Sequence, residues 1–289
     1  MLSELMAVLL AAPLAAGSGE RVDARRAAAA DAIVEIDGAG GALRIVGWDK
    51  DEVWVTGTLG AGAEGLDLTG TARRVSVDVD TMGHPDSVKS DLEIRVPAGA
   101  RVEVSAMSAD ITVTGVSGAV TADTVAGDIS VSGTAREIAL ESVNGSVTAS
   151  CACTRAHLES VNGAVTVTGG RGDVDASTVN GALTVTGGKF DRAKLETVNG
   201  RITFEGELVA RATLGVESVG GSIELRLPAA TNADFTVNTF SGSIRNDWGA
   251  EGRRTSKYTR EQELAFTAGA GGASVDVQTL SGDVILTKR

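Results

Sequence analysis

Aliphatic and hydroxyl residues alternate strictly through Val165-Thr166-Val167-Thr168, the pattern of an extended strand with one face buried. The same alternation returns along the chain at Ile111/Val113, Ile129/Val131, Val147/Ala149, Val165/Val167, Leu183/Val185, Ile202/Phe204 and Ile223/Leu225. A preceding strand in each unit carries Val102/Val104, Val120/Ala122, Ile138/Leu140, Ala156/Leu158, Val174/Ala176 and Ala193/Leu195. Between the two strands a corner residue recurs at Ala109, Gly127, Gly145, Gly163, Gly181, Gly200, Gly221 and Gly242, in steps of 18, 18, 18, 18, 19, 21 and 21, with a further copy ending at Gly282. Repetition near this length, with period two inside each copy, predicts stacked coils. The expected fold is all-β: a single-stranded β-helix, or β-solenoid, of 18–21 residues per coil. Roughly ten to twelve coils spaced about 4.8 Å apart would make a rod of about 50 Å.

The corners read Asn-Gly at Asn144, Asn162, Asn180 and Asn199. In isolation such a pair predicts a tight hairpin, but hairpins would not demand the same residue type at every vertical position. Within coils, Asn and Gly supply residues that tolerate left-handed backbone angles, and stacked Asn can form an amide ladder.

Either side of the regular repeat the pattern loosens. Residues 1–17 read as a signal peptide, with an apolar run from Leu5 to Ala16 and small residues Ala15 and Gly17. The run is too short to span a bilayer, and a basic start is missing. Residues 18–32 read as a linker, the Ala/Arg/Asp-rich stretch Val22 to Ala32 forming a linker or short helix. Residues 33–100 read as strands that cap the solenoid and merge into it, 101–244 as regular coils, and 245–289 as an insertion followed by a final coil. A stack of strands must cover both open edges. The insertion carries Trp248 and Tyr258, which either pack on the cap or mark a partner site.

Composition narrows the function. The 289 residues are 43% hydrophobic and 3% aromatic, with 37 Gly and 4 Pro, which suits thin coils with many corners. A formal charge of −12 argues against nucleic acid and against electrostatic attachment to anionic lipid. Beyond the leader no segment is long and apolar enough for a transmembrane helix, so the mature chain is expected to be soluble or peripherally held, and the leader points to export to the periplasm or cell envelope.

Few residues invite chemistry. Outward on the strand before each corner stands a carboxylate column of Asp123, Glu141, Glu159, Glu196 and Glu217, interrupted by Ser177. It reads as a solvated acidic stripe or, less readily, as a cation site bridging neighbouring carboxylates. A hydroxyl column, Thr112, Ser130, Thr148, Thr166, Thr184 and Thr203, fits a half-wet pleated face, which could also meet a glycan or another sheet. Cys151 and Cys153 share one corner; they read as small packed residues, as an oxidised pair, or with His157 as a zinc site one ligand short. His84 precedes Pro85 in a polar loop. Arg171-Gly172-Asp173 matches an integrin tripeptide but falls at an ordinary corner. No Gly-x-Ser-x-Gly elbow, phosphate-cradling loop or sustained hexad occurs, so neither catalysis nor a cofactor is expected.

The repeat Ser/Thr-Val-Asn-Gly-x-Val-Thr-Val, with Gly-Ala-Leu-Arg-Ile-Val-Gly-Trp-Asp at 41–49, Leu-Glu-Ile-Arg-Val-Pro-Ala-Gly-Ala at 92–100 and Thr-Leu-Ser-Gly-Asp-Val-Ile-Leu at 279–286, resembles a bacterial extracytoplasmic family labelled putative adhesin. The resemblance runs from Ile33 to Thr287. It implies a right-handed β-helix, a place at the cell envelope and no recognised catalytic residues, and it transfers no site residues. The expected function is a non-catalytic structural or protein-interaction module, with an unidentified protein or envelope component as partner and weak self-association as an option. The alternative is a ligand-binding or carbohydrate-active β-helix protein using the 245–273 insertion.

Overall fold

The computed structural model describes residues 19–81, 88–254 and 260–289; the leader expected at 1–17, His84 and Tyr258 lie outside them. Every regular element among them is a strand, and none of the described residues forms a helix long and apolar enough to cross a membrane. Leading strands Ala119–Ala126, Glu137–Asn144, Arg155–Ser160 and Arg171–Asn180 pair in parallel and in register. Val120 lies opposite Ile138, Ile138 opposite Ala156, and Ala156 opposite Val174. Trailing strands Ile129–Gly133, Val147–Cys151 and Val165–Gly169 stack likewise, Ile129 on Val147, Val147 on Val165 and Val165 on Leu183.

The period-two pattern therefore converts directly into a core. Val120, Ile138, Ala156 and Val174 on the leading side and Val147, Val165 and Leu183 on the trailing side are at most 5% exposed. Each buried aliphatic side chain contributes roughly 1.5–3 kcal/mol, so the stack gains stability turn by turn. Where the repeat lengthens, the strands Leu183–Asn199 and Ile202–Ser218 carry register shifts at Thr186/Lys189 and Phe190/Arg192. These wider turns enclose Phe190 and Phe204, both buried, with ring centroids 5.7 Å apart.

The corners correct the reading of Asn-Gly. Among the described residues the one non-glycine with a left-handed backbone angle is Arg211, so the corner asparagines are not there for that conformation. The glycines are required by close approach. A Cβ on Gly163 would lie 2.0 Å from the Gly145 carbonyl oxygen, and one on Gly181 would lie 1.9 Å from that of Gly163. The asparagines do form the ladder: Asn162, Asn180 and Asn199 each donate from Nδ2 to Oδ1 of the asparagine one turn before, at 3.0, 2.9 and 3.1 Å.

Both ends depart from sequential stacking. After Ile202–Ser218 and Ile223–Leu227, the next layer is not the one containing Gly242. The last segment of the chain takes that place: Leu214 pairs with Val275 and Ile223 with Val284. Ala233–Thr239 and Ile244–Asn246 then stack on the outer side of that segment, Val237 on Val277 and Ile244 on Val284. The vertical order of corners is thus Gly221, Gly282, Gly242, and the expected final coil is an inner layer. Strand Gln262–Ala268 covers the outermost edge antiparallel to Ala233–Thr239.

The beginning of the chain does the same. Ile33–Trp48 lies between Arg101–Thr114 on one side and Arg74–Thr81 with Ser90–Pro97 on the other. Glu52–Leu59 and Ala63–Thr71 pair antiparallel with that outer layer. The stretch read as a linker instead contributes the strand Glu20–Ala27, antiparallel to Glu52–Leu59. Its Arg25 lies 4.1 Å from the centre of the Trp54 ring, which stacks on Trp48. Cation–π contact of Arg25 with Trp54 is a physical reason for this charged stretch to pair rather than remain free.

Candidate interaction groove

Reading period two through the leading strand and into the corner separates three columns. The carboxylates point outward: Asp123 stacks on Glu141, Glu141 on Glu159, Glu159 on Ser177, Ser177 on Glu196 and Glu196 on Glu217. The next residue on each turn is a buried hydroxyl. Ser142, Ser160 and Thr178 donate to the carbonyls of Gly127, Gly145 and Gly163 at 3.1, 2.9 and 2.9 Å. The residue after that is apolar and, apart from the half-buried Val161, faces solvent. Val125, Val143, Val179, Val198, Val219, Leu280 and Phe240 are 39–53% exposed.

Between the acidic and aliphatic columns runs a groove floored by the buried hydroxyls. Toward the C-terminal cap it encloses about 560 Å³, with Glu196, Glu217, Gln278 and Asn238 along one side and Val198, Val219, Leu280 and Phe240 along the other. A stretch of about 270 Å³ between Asp123, Glu141 and Val125, Val143 continues it along the column. The exposed aliphatic ladder is the feature that sequence reasoning missed. The signal was present: phase continued from Ile138 and Leu140 puts Ser142 inside and Val143 outside.

Electrostatics differ along the acidic wall. Burial, reinforced by the neighbouring Glu141 charge, raises the Asp123 carboxyl above its ordinary value. Glu196 receives Lys194 Nζ at 2.8 Å. His157 sits between Glu159, 4.0 Å from Nε2, and Asp175, 3.9 Å from Nδ1. Glu141, His157 and Glu159 can bring three ligand atoms within 4.8 Å of one another, a nitrogen and two oxygens that could hold a divalent transition ion. Of the expected cation stripe, Glu141 and Glu159 are thus joined by His157, while Glu196 and Glu217 stand beyond Ser177.

Cys151 and Cys153 are bonded to each other and buried, so their sulfurs are not thiolates available to a metal beside His157. Trp248, half-buried, packs on Phe235 at 5.4 Å and on Phe266 at 6.2 Å, with Lys288 Nζ 5.4 Å from its ring. It lies in the aromatic cluster of the C-terminal cap, away from the groove-lining residues.

Two solved structures are similar to the chain over most of its length. A solved structure described as a putative adhesin from Parabacteroides distasonis ATCC 8503 is 12% identical, covers 93% of this chain and 98% of its own, and superposes with a TM-score of 0.46. A putative adhesin from Bacteroides fragilis NCTC 9343 is 11% identical over 92% of this chain and 97% of its own, with a TM-score of 0.40. No curated protein matches. The sequence profile of one family, described as Toastrack DUF4097, matches residues 66–287. That match spans the core stack, nearly all of the C-terminal cap and part of the N-terminal one, and the chain belongs to the Toastrack DUF4097 family.

Proposed function

We propose that the chain is a non-catalytic interaction module of the cell envelope, exported and adhesin-like, whose stacked turns close into a right-handed single-stranded β-solenoid. The observation that carries this reading is the aliphatic ladder Val179, Val198, Val219, Leu280 and Phe240, exposed on successive turns beside a groove. Contiguous exposed apolar surface rimmed by polar groups marks a partner site. The opposing view, a carbohydrate-active protein working beneath the 245–273 insertion, has less support. The insertion's strand Gln262–Ala268 is spent covering the edge of Ala233–Thr239, and Trp248 is packed against the cap.

Immobilised wild-type chain is expected to retain a component of the isolated envelope fraction. A V179T/V198T/V219T variant, whose β-branched replacements keep the strand geometry, is expected to retain at least fivefold less. Equal retention by wild type and variant, or enzymatic turnover of an envelope glycan by the wild type, would overturn the reading.

A further inference from the structure

We infer that the groove binds an extended polypeptide in which basic residues alternate with aliphatic ones. This rests on the interaction reading above and assigns the partner's chemistry.

The two walls dictate it. One wall carries the carboxylates of Asp123, Glu141, Glu159, Glu196 and Glu217, with Ser177 among them and the amides of Gln278 and Asn238 continuing it at the C-terminal cap; the other is a column of apolar side chains, and a single buried residue separates the two on every turn. An extended chain lying lengthwise projects successive side chains to opposite sides. One set then faces the carboxylates and the other faces the valines. Basic side chains suit the first wall. Among the described residues, the lysine or arginine within ion-pair distance of Asp123, Glu141, Glu159, Glu196 and Glu217 is Lys194 on Glu196, and the His157 ring lies 4.0 Å from Glu159. The chain as a whole carries a formal charge of −12. An incoming ammonium or guanidinium therefore finds carboxylates whose mutual repulsion it relieves.

Size argues against a second copy. Eight turns at about 4.8 Å give a stripe about 40 Å long and about 10 Å wide. Its area of about 400 Å² is half of the roughly 800 Å² per partner that a stable protein pair needs. Two copies would also bring together chains of the same net charge. The same length accommodates about twelve extended residues at about 3.3 Å each.

The test uses the full chain and a fluorescein-labelled twelve-residue peptide of alternating lysine and valine at nanomolar concentration, read by fluorescence anisotropy. It is expected to bind at least tenfold tighter than dodecalysine or an alternating glutamate–valine peptide. V179T/V198T/V219T and E196Q/E217Q are each expected to weaken binding at least tenfold, with unchanged circular dichroism. Absence of binding overturns the inference, and so does equal binding of dodecalysine undiminished by the valine substitutions, which would show counterion attraction alone. A sedimenting dimer that the valine substitutions dissociate would also overturn it and assign the groove to a second copy. If the peptide fails while envelope retention still depends on those valines, the interaction reading stands and only this partner is excluded.

Discussion

At the residue scale the corner glycines and the hydroxyls beside them carry the tightest constraints. Gly163 has a carbonyl oxygen where its Cβ would go, whereas Gly215, on the outward face of a strand, has nothing within 4 Å of that point. G163A is therefore expected to destabilise by at least about 2 kcal/mol through forced displacement of backbone. G215A is expected to be neutral or to stabilise by up to about 1 kcal/mol through the unfolded chain, and thermal melts of the two variants would check the contrast. The hydroxyl column offers a second contrast. Thr178 donates to Gly163, but the buried Oγ1 atoms of Thr197 and Thr279 have no hydrogen-bond partner. T178V should cost about 1 kcal/mol, while T197V, which replaces an unpaired buried hydroxyl by a methyl, should be neutral or stabilising in urea denaturation. Which residues repeat was legible from Glu159-Ser160-Val161-Asn162-Gly163 alone. Why they repeat was not, because the reason for Gly163 is an oxygen contributed from a different turn.

At the scale of single strands, a carboxylate feels the charge stacked on the next turn, as Asp123 does that of Glu141. The raised Asp123 carboxyl, caused first by burial and then by Glu141, fixes the sign of a pH effect. A carboxyl whose folded value lies above its unfolded value of about 3.9 favours the folded state when protonated, and that contribution is lost as pH rises through the folded value. D123N should accordingly melt higher than wild type at pH 7, and the difference should vanish below the ordinary carboxylate range. Glu35 and Asp283 are shifted the other way, the first by Arg74 and the second by hydrogen bonds from Ser243. Their stabilisation is present above the unfolded value and lost in acid, so the difference between D123N and wild type is the quantity to follow. A melting difference that persists unchanged at pH 3 would contradict the assignment. The carboxylate column itself could be read in sequence from Asp123, Glu141 and Glu159 at constant spacing. Its partnership with the valines could not be read by treating Asn-Gly as the end of each strand, since Val143 and Val179 count as outward-facing only when the alternation is carried into the corner.

On the scale of the whole molecule, the stacking order at the ends is where sequence spacing misleads. Gly221 to Gly242 and Gly181 to Gly200 look like equivalent steps, yet only the second joins adjacent layers. A spacing reports how long a turn is, not which turn it lands on, and partners as far apart in the chain as Leu214 and Val275 or Ile223 and Val284 leave no periodic trace. The consequence is mechanical. In a sequential repeat stack, removing the last unit leaves its predecessor intact. Here Ala273–Thr279 and Val284–Lys288 are each paired on both sides, and Val275, Val277, Val284 and Leu286 are at most 1% exposed. Truncation after Gly272 would thus remove an inner layer, detach Ala233–Thr239 and Gln262–Ala268 from the stack, and expose the edges of Ile202–Ser218 and Ile223–Leu227. Bare strand edges template association. The truncated chain is expected to be cleaved rapidly by trypsin within 228–272 and to form concentration-dependent oligomers, while the turns from 101 to 200 keep their hydrogen-exchange protection. Retained protection of 228–272 in that truncated chain would mean that the layer containing Gly242 stacks directly on the one containing Gly221, and the intercalated order would be wrong.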